Sequence, residues 1–585
     1  MLNQATNQMQ RKNCDEIIVI DESSKPLGII TDEDILKKIS EQFVKPLTTR
    51  VDDVMTFPLI MINHNDTLQK ALDLMRKNKK RKLVVTSENG NVVGIIFQKT
   101  IADLIRNSVD IKKPITSTFS GVIWNLGSVL QFAGILMFIP SILSTVLNET
   151  DVATGIFLTS TLLLISGFLL NSYGNRQPLN IRGMSILVFS SFVILVLFGS
   201  IPYLYIMPYG EQGFAENLSS SIFSSAASFT TCGITLFSTP EDLPQSLTFY
   251  RGFSQFVGGL SFIYLIMTAF YSEEKLLTMR GFISGQTPRL KELFATITII
   301  FSIYVVIIAS LLYYFGSENI IDDFSLAMST LSTGGLQPDS QIFSKFGLGG
   351  DLVLIAGMIL GALPFAFHYG FVRKKFLSAK LGSETLLYLC FLAIGVGLFV
   401  LSTKGDVFEE SFTIIAASTT TGFQIVDLST LDTFPKLILT VMMLVGGCGF
   451  STAGGIKIFR LIDFFKMRNL FSPKKWRLAS PDSKNEFLSI LAVMILFPTV
   501  PLLGALYLSG EGYNFYDSYF ETIGAITTAG LGSGIIGPDL DPVGKIITSF
   551  LMILGRLEII IIIFMFIPKF VNVKPESNRK PDLEN

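Results

Sequence analysis

Four stretches of this 585-residue chain share one pattern, Ser/Thr-Thr-x-Gly-apolar: Thr230-Thr231-Cys232-Gly233-Ile234, Ser332-Thr333-Gly334-Gly335-Leu336, Thr419-Thr420-Thr421-Gly422-Phe423 and Thr527-Thr528-Ala529-Gly530-Leu531. The chemistry such turns can do is to desolvate a cation. An ion crossing lipid must exchange its water shell for fixed oxygens, and inward-facing backbone carbonyls supply these without placing full charges in the path. Consecutive carbonyls aim at one axis only where a residue tolerates positive φ, which glycine does at least cost. Gly233, Gly335, Gly422 and Gly530 are therefore the expected ring. Thr231, Thr333, Thr420 or Thr421, and Thr528 add oxygens or brace the loops. Covalent chemistry has little material here: the only histidines are His64 and His368, and Cys14, Cys232, Cys390 and Cys448 are too scattered for a zinc set or a disulfide framework.

The elements that must position these turns are legible around them. Each turn lies between two apolar segments long enough to cross a hydrocarbon core, which takes about 20 helical residues. The outer helices fall near 183–207 and 249–271, 293–315 and 351–372, 384–402 and 435–459, and 486–509 and 543–568. Two further spans, near 122–147 and 153–170, precede them, giving ten crossings. Upstream of each turn runs a short half-span, Ser219–Ser228, Phe324–Leu331, Phe412–Ser418 and Tyr516–Ile526, expected to be a pore helix. One such turn alone would read as a glycine-capped helix end. Four in matching positions read as one ring, and irregular backbone at that depth is tolerated where a pore covers it.

Composition agrees. With 49% hydrophobic and only 16% charged residues, the chain is too apolar for a soluble globular protein of this length. Met1 to Lys12 is polar, so no cleavable signal peptide is expected and the N-terminus is expected in the cytoplasm. Lysines and arginines concentrate in 272–292, 373–380, 457–484 and 569–580, whereas 208–248 has none; by the positive-inside rule the turn-bearing segments face outward and both termini inward. Those outer segments carry Glu211, Glu216, Glu241, Asp242, Glu318, Asp322, Asp323 and Asp339, an acidic approach that concentrates cations.

At this point the chain resembles the Trk/Ktr/HKT superfamily of potassium transporters, most closely its TrkH branch, over roughly Gly121 to Lys569. The resemblance rests on Phe256-Val257-Gly258-Gly259-Leu260, Asn319 to Leu336, Gly361 to Tyr369, Thr420 to Arg460 and Leu554-Gly555-Arg556-Leu557-Glu558-Ile559. It implies an all-α polytopic membrane protein of four pseudo-symmetric helix–pore loop–helix repeats (182–272, 289–373, 383–460, 485–569) behind two additional helices (119–172), with a short tail at 570–585. It also implies uptake of K⁺ through one central pore, a homodimer, and a separate cytoplasmic nucleotide-binding regulatory subunit as partner. By the same resemblance Thr231, Cys232, Gly233, Thr333, Gly334, Gly335, Thr420, Thr421, Gly422, Thr528, Ala529 and Gly530 line the ion filter. Gly446, Gly447, Gly449, Ser451, Gly454, Gly455 and Lys457 form a gate loop beneath it, and Arg556 is a pore-facing cation that limits leak. The alternatives are a small-residue helix crossing for the glycine run and an ion pair with Glu558 for Arg556. His368 reads as a packing residue and Trp124 as an interface anchor. Cys232 and Gly334 depart from the usual filter residues. Glycine at all four turns favours K⁺, since relatives with serine at the first tend to carry Na⁺.

Residues 1–112 read differently. Two copies of a strand, turn and amphipathic-helix pattern, Ile17–Ile20 with Lys25–Leu36 and Val51–Thr56 through Ile96, resemble a cytoplasmic pair of α+β CBS modules, the first lacking its opening strand. In Gly28-Ile29-Ile30-Thr31-Asp32-Glu33-Asp34 the resemblance assigns Thr31 to a phosphate and Asp34 to a ribose of an adenine nucleotide. The second copy has Phe97 and Thr100 in those places, so one site at most is expected. The expectation is thus a non-enzymatic K⁺ transporter of the cell membrane, with no nucleic-acid partner. The rivals are a CLC-like anion channel or exchanger, which the acidic loops and four-fold repeat oppose, and a non-conducting nucleotide or osmotic sensor.

Overall fold

The computed structural model describes residues 2–566 except 13, 15, 22–24, 33, 37–48, 79, 102–114, 178, 211–212, 271–289, 373–382 and 404. The junction Lys112–Pro114, nearly all of the basic segments 272–292 and 373–380, and the tail 570–585 lie outside the described residues. The chain divides into two units, Met1–Thr116 and Ser117–Asn585.

The first unit opens on a helix, Leu2–Lys12, followed by strands β1 (Glu16–Ile20) and β2 (Pro26–Thr31), which pair antiparallel with Ile17 opposite Ile30. Ile30 is buried with Leu2, Met9, Ile35 and Val54. The second half holds β3 (Met61–Asn63), the helix Leu68–Lys77, β4 (Lys82–Thr86) and β5 (Val92–Phe97), in sheet order β3-β4-β5. β3 and β4 are parallel and the helix is the crossover between them. Thr67 caps that helix by accepting from the Lys70 amide, and Ala71 and Met75 pack from it onto Ile62, Leu83 and Ile101.

The second unit is helical throughout. Helices Ile115–Leu136 and Phe138–Val146 form one path with a break at Met137, and Thr150–Tyr173 returns beside it. Gly127 and Gly167 allow the two to touch, since a methyl on either would meet the other's backbone carbonyl. Four repeats follow. Among the described residues seven helices are long and apolar enough to cross a membrane, against the ten expected. Thr433–Val445 stops at Gly446 and Pro542–Arg556 stops at Leu557, while Gln245–Phe270 is described only in part. The glycine run marks the first stop, whereas the sequence continues largely apolar past the second, which is why 543–568 reads as a single span.

The half-spans are longer than expected at their N-termini: Phe214–Phe229, Ile320–Leu331, Val407–Ser418 and Phe515–Ile526. Each starts on a capping residue. Asn319, Asp406 and Asn514 accept from first-turn amides, and Glu216 reaches back to the Gly213 amide. The twelve residues of the last three span about 18 Å and the sixteen of the first about 24 Å, so none is long enough to cross a hydrocarbon core of about 30 Å. In repeats one, two and four, Gly258, Gly361 and Gly555 of the following span press against the final pore-helix carbonyls of Phe229, Leu331 and Ile526. The corresponding position in repeat three is Gly447, where the span leaves the helical path.

Candidate functional site

Glycine's role in the turns is only part of what the backbone does. The four pore helices end in the same way: Thr231, Thr333, Thr420 and Thr528 all adopt positive φ, between 53° and 55°. The amides of Thr231 and Cys232 bond the carbonyls of Ser228 and Ala227, and those of Thr333 and Gly334 bond Thr330 and Ser329. Thr420 and Thr421 repeat this on Ala417 and Ala416. These are Schellman ends in which threonine occupies the left-handed position usually given to glycine. Two residues on, Gly335, Gly422 and Gly530 are also at positive φ, of 73°, 82° and 78°. Gly233 is not, which corrects the expectation that all four glycines are there for their dihedral angles. Its reason is space.

That space is the meeting of the repeats. A methyl on Gly233 would lie 3.2 Å from the Gly334 carbonyl oxygen and 3.3 Å from that of Thr421. On Gly335 it would overlap the Thr421 carbonyl, on Gly422 the Ala529 carbonyl, and on Gly530 the backbone of Gly233. The four turns therefore close a ring in which each glycine faces the backbone of another repeat. Above the ring is a cavity of about 260 Å³ lined by Gly233, Gly335, Gly422, Gly530, Gln424 and Glu521, among others. Asp427, on the loop beyond Phe423, is held below the usual carboxylate range by hydrogen bonds from the Ser429 side chain and amide, so it keeps its charge.

The threonine hydroxyls have different fates. Thr333 Oγ1 donates to the Ser332 carbonyl, Thr421 pairs with Thr419 at 2.9 Å, and Thr420 accepts from the Gly454 amide at 2.7 Å. Thr231 Oγ1 and Thr528 Oγ1 are buried and without a hydrogen-bond partner among the described residues.

Beneath the ring lies the segment Gly446–Lys457. It leaves the helix at Gly446 (φ 67°) and returns at Lys457 (φ 72°), and the Ile456 and Lys457 amides bond the carbonyls of Leu444 and Val445 to close the loop at its neck. Its tip touches three repeats. Thr452 Oγ1 donates to Gly361 O at 2.8 Å, Gly454 N donates to Thr420, and a methyl on Gly454 would lie 2.5 Å from Thr528 Oγ1. Ser451 Oγ turns inward to the Cys448 carbonyl, and Gly449 N donates to Glu384. Gly447 packs on Ala362 and Ala453, and Gly455 on Gly446.

Arg556 is 2% exposed; Nη1 donates to Thr452 O at 2.8 Å and Nη2 to Gly259 O at 3.2 Å. It thus ties the loop tip to repeat one. Glu558, the acid weighed as its mate, instead forms ion pairs with Lys457, at 3.2 Å, and Arg460. This buried triad is not among the groupings expected from the sequence, which pair Glu558 with Arg556. Its only sequence signal was three charges inside otherwise apolar spans. His368 is buried among Phe301, Tyr304 and Phe367, with Nε2 on the Leu360 carbonyl, as packing requires. In the first unit Asp34 accepts from Thr31 N and Oγ1 and from Thr56 Oγ1, so Thr31 and Asp34 are together at one edge of β2.

The family model described as TrkH, cation transport protein, matches residues 396–573, and the CBS domain model matches 1–41 and 51–107. The chain is 25% identical over 459 residues to an uncharacterized cation transporter, MJ1485, of Methanocaldococcus jannaschii, covering 76% of this chain and 95% of the relative. It is likewise 25% identical over 480 residues to the Trk system potassium uptake protein TrkI of Halomonas elongata, covering 74% and 94%. The crystal structure of the potassium transporter TrkH from Vibrio parahaemolyticus superposes with a TM-score of 0.63 at 21% identity, over 77% of this chain and 99% of that one. The chain is thus similar to TrkH-type proteins, with a CBS match at its N-terminal end. The likeness in fold covers 77% of the chain, and the CBS match falls on the two short sheets of the first unit.

Proposed function

We propose that this chain carries K⁺ across the cell membrane, through the ring formed by its four turns, without covalent chemistry. The observation that carries the proposal is the mutual closure of Gly233, Gly335, Gly422 and Gly530, each packed against the backbone of another repeat. The filter is built from these glycines with Thr231, Cys232, Thr333, Gly334, Thr420, Thr421, Thr528 and Ala529. Relatives named as potassium uptake proteins support K⁺ as the cargo. The ion moves down the membrane potential, worth about 2.3 kcal/mol per charge per 100 mV.

The Gly446–Lys457 loop is the gate, since its tip occupies the space under Thr420 and Thr528, and Arg556 holds it there. The acidic loops face outward and the termini inward. The CBS modules bind an adenine nucleotide at Thr31 and Asp34: the carboxylate keeps lone pairs for ribose hydroxyls beyond those used by Thr31 and Thr56, and the Thr31 hydroxyl, which donates to Asp34 here, rotates to donate to a phosphate when the nucleotide is bound. The protein works as a homodimer, with a cytoplasmic nucleotide-binding subunit as a further partner.

The test is flux. Purified protein in liposomes is expected to pass K⁺ and Rb⁺ in preference to Na⁺. Gly422→Ser is expected to abolish that preference, because the new side chain has no room beside Ala529 and its φ of 82° strains any non-glycine residue. Wild-type liposomes tight to monovalent cations, or a Gly422→Ser protein that still discriminates, would sink the proposal.

A further inference from the structure

Repeat two differs from the others at the third position of its turn. Cys232, Thr421 and Ala529 carry side chains there; Gly334 carries none. The reason lies on another repeat. Gln255, on the span Gln245–Phe270 of repeat one, is fully buried, and its Nε2 donates to the Gly334 carbonyl oxygen at 2.8 Å. Its amide fills the place a Gly334 side chain would take: a methyl there would lie 2.7 Å from Nε2 and closer still to Cδ and Oε1. The same Gly334 carbonyl stands beside Gly233 in the ring.

We infer that Gln255 is a positioning residue for the filter, setting the direction of the Gly334 carbonyl and, through it, the discrimination between K⁺ and Na⁺. The inference rests on the pore reading above. Two observations separate this role from simple packing. The first is chemical. Gln255 Oε1 is buried with no hydrogen-bond partner among the described residues, a cost that leucine or methionine of similar volume would avoid. A site that needed only volume would not keep that amide, whereas a site that needs a donor must. The second is mechanical. The peptide joining Gly334 to Gly335 lies between two residues without Cβ, the second at φ 73°, whereas the matching peptides of the other three turns each have a side chain on one flank.

The consequence follows from how carbonyls choose an ion. Their number, spacing and field strength decide whether dehydration is compensated for the larger cation or the smaller one. A donor fixed behind the Gly334 oxygen holds it in place and draws on its lone pairs. Without that donor the carbonyl can follow a smaller ion inward, and Na⁺ gains.

The experiment is a cycle of variants of the full chain in liposomes, with K⁺ and Na⁺ fluxes measured on protein shown to be monodisperse. Gln255→Leu keeps the volume and removes the donor. It is expected to conduct K⁺ with its K⁺ over Na⁺ ratio reduced about fivefold or more, the scale of one net hydrogen bond. Gly334→Ala is expected to push the flexible end of Gln255 off the carbonyl and lower the ratio similarly. The double variant is expected to match either single one, because both remove the same contact. A wild-type ratio in Gln255→Leu overturns the inference, and so do losses that simply add in the double variant. If Gln255→Leu does not fold, Gln255→Met and Gly334→Ala carry the test, and wild-type ratios in both overturn it. Failure of the wild type to conduct would refute the pore reading itself, a result distinct from any of these.

Discussion

Threonine, more than glycine, sets the shape of each turn. A β-branched residue at φ near 53° is strained, and the strain recurs at four equivalent places. Glycine would relieve it, yet would supply no hydroxyl. Two of the four hydroxyls, on Thr231 and Thr528, are buried and unpaired among the described residues, an arrangement that costs stability unless a cation meets them. Thr528→Val therefore separates the roles. It keeps the branched shape, so thermal unfolding in detergent is expected at or slightly above the wild-type temperature. The apparent K⁺ affinity in flux assays is expected to weaken by about tenfold, the worth of one oxygen contact to a charge. A lower unfolding temperature with unchanged K⁺ affinity would mean the hydroxyl is structural. At this scale the sequence made the glycines legible, because Ser/Thr-Thr-x-Gly repeats four times. It left the threonine dihedral angles hidden, since local preference assigns positive φ to glycine and only the closed ring forces it on the residue before x.

Two elements of the helical unit break part-way along apolar stretches, and they break toward each other. Thr433–Val445 ends at Gly446, which the run of glycines and small hydroxyl residues made legible. Pro542–Arg556 ends at Leu557 and the chain restarts at Glu558, itself at φ 54°, with only the charges of Arg556 and Glu558 in an otherwise apolar stretch to mark the stop. What fixes that break is tertiary: Glu558 turns to meet Lys457, at the return end of the loop, and Arg460. These charges are almost fully buried, so removing one partner leaves the others uncompensated, at a cost of about 3–5 kcal/mol. Glu558→Gln is expected to lower the unfolding temperature and to raise K⁺ flux by releasing the loop. Lys457→Met in the same chain should recover part of the stability by removing one stranded cation. Thermal unfolding and flux on the same preparations check both. Glu558→Gln with wild-type stability would show that the triad contributes no net energy to the loop.

On the scale of the whole molecule, two units with separate cores share one chain. Ile30 with Leu2 and Val54, and Ile62 with Leu83, close the cores of the first unit among its own residues, while the helices from Ser117 onward pack on one another. The membrane unit should therefore fold without residues 1–112, and K⁺ flux from the deleted protein is expected to be present. Regulation is where the two should differ. A ligand shifts an equilibrium only through differential affinity for its states, with couplings of about 5- to 150-fold. Flux through the full chain is accordingly expected to change at least about fivefold between adenine nucleotide present and absent. The deleted chain should not respond, and neither should Asp34→Asn, which keeps the planar shape of the side chain but loses the charge that Thr31 and Thr56 now surround. Nucleotide binding measured directly on the same proteins separates the steps. Binding without a flux change would make the head a passive attachment, and a response that survives the deletion would place the sensor elsewhere. The asymmetry between the two CBS halves, Thr31 and Asp34 in one and Phe97 and Thr100 in the other, predicts one nucleotide per chain, so a stoichiometry of two would mean that the second half binds through residues its signature does not mark.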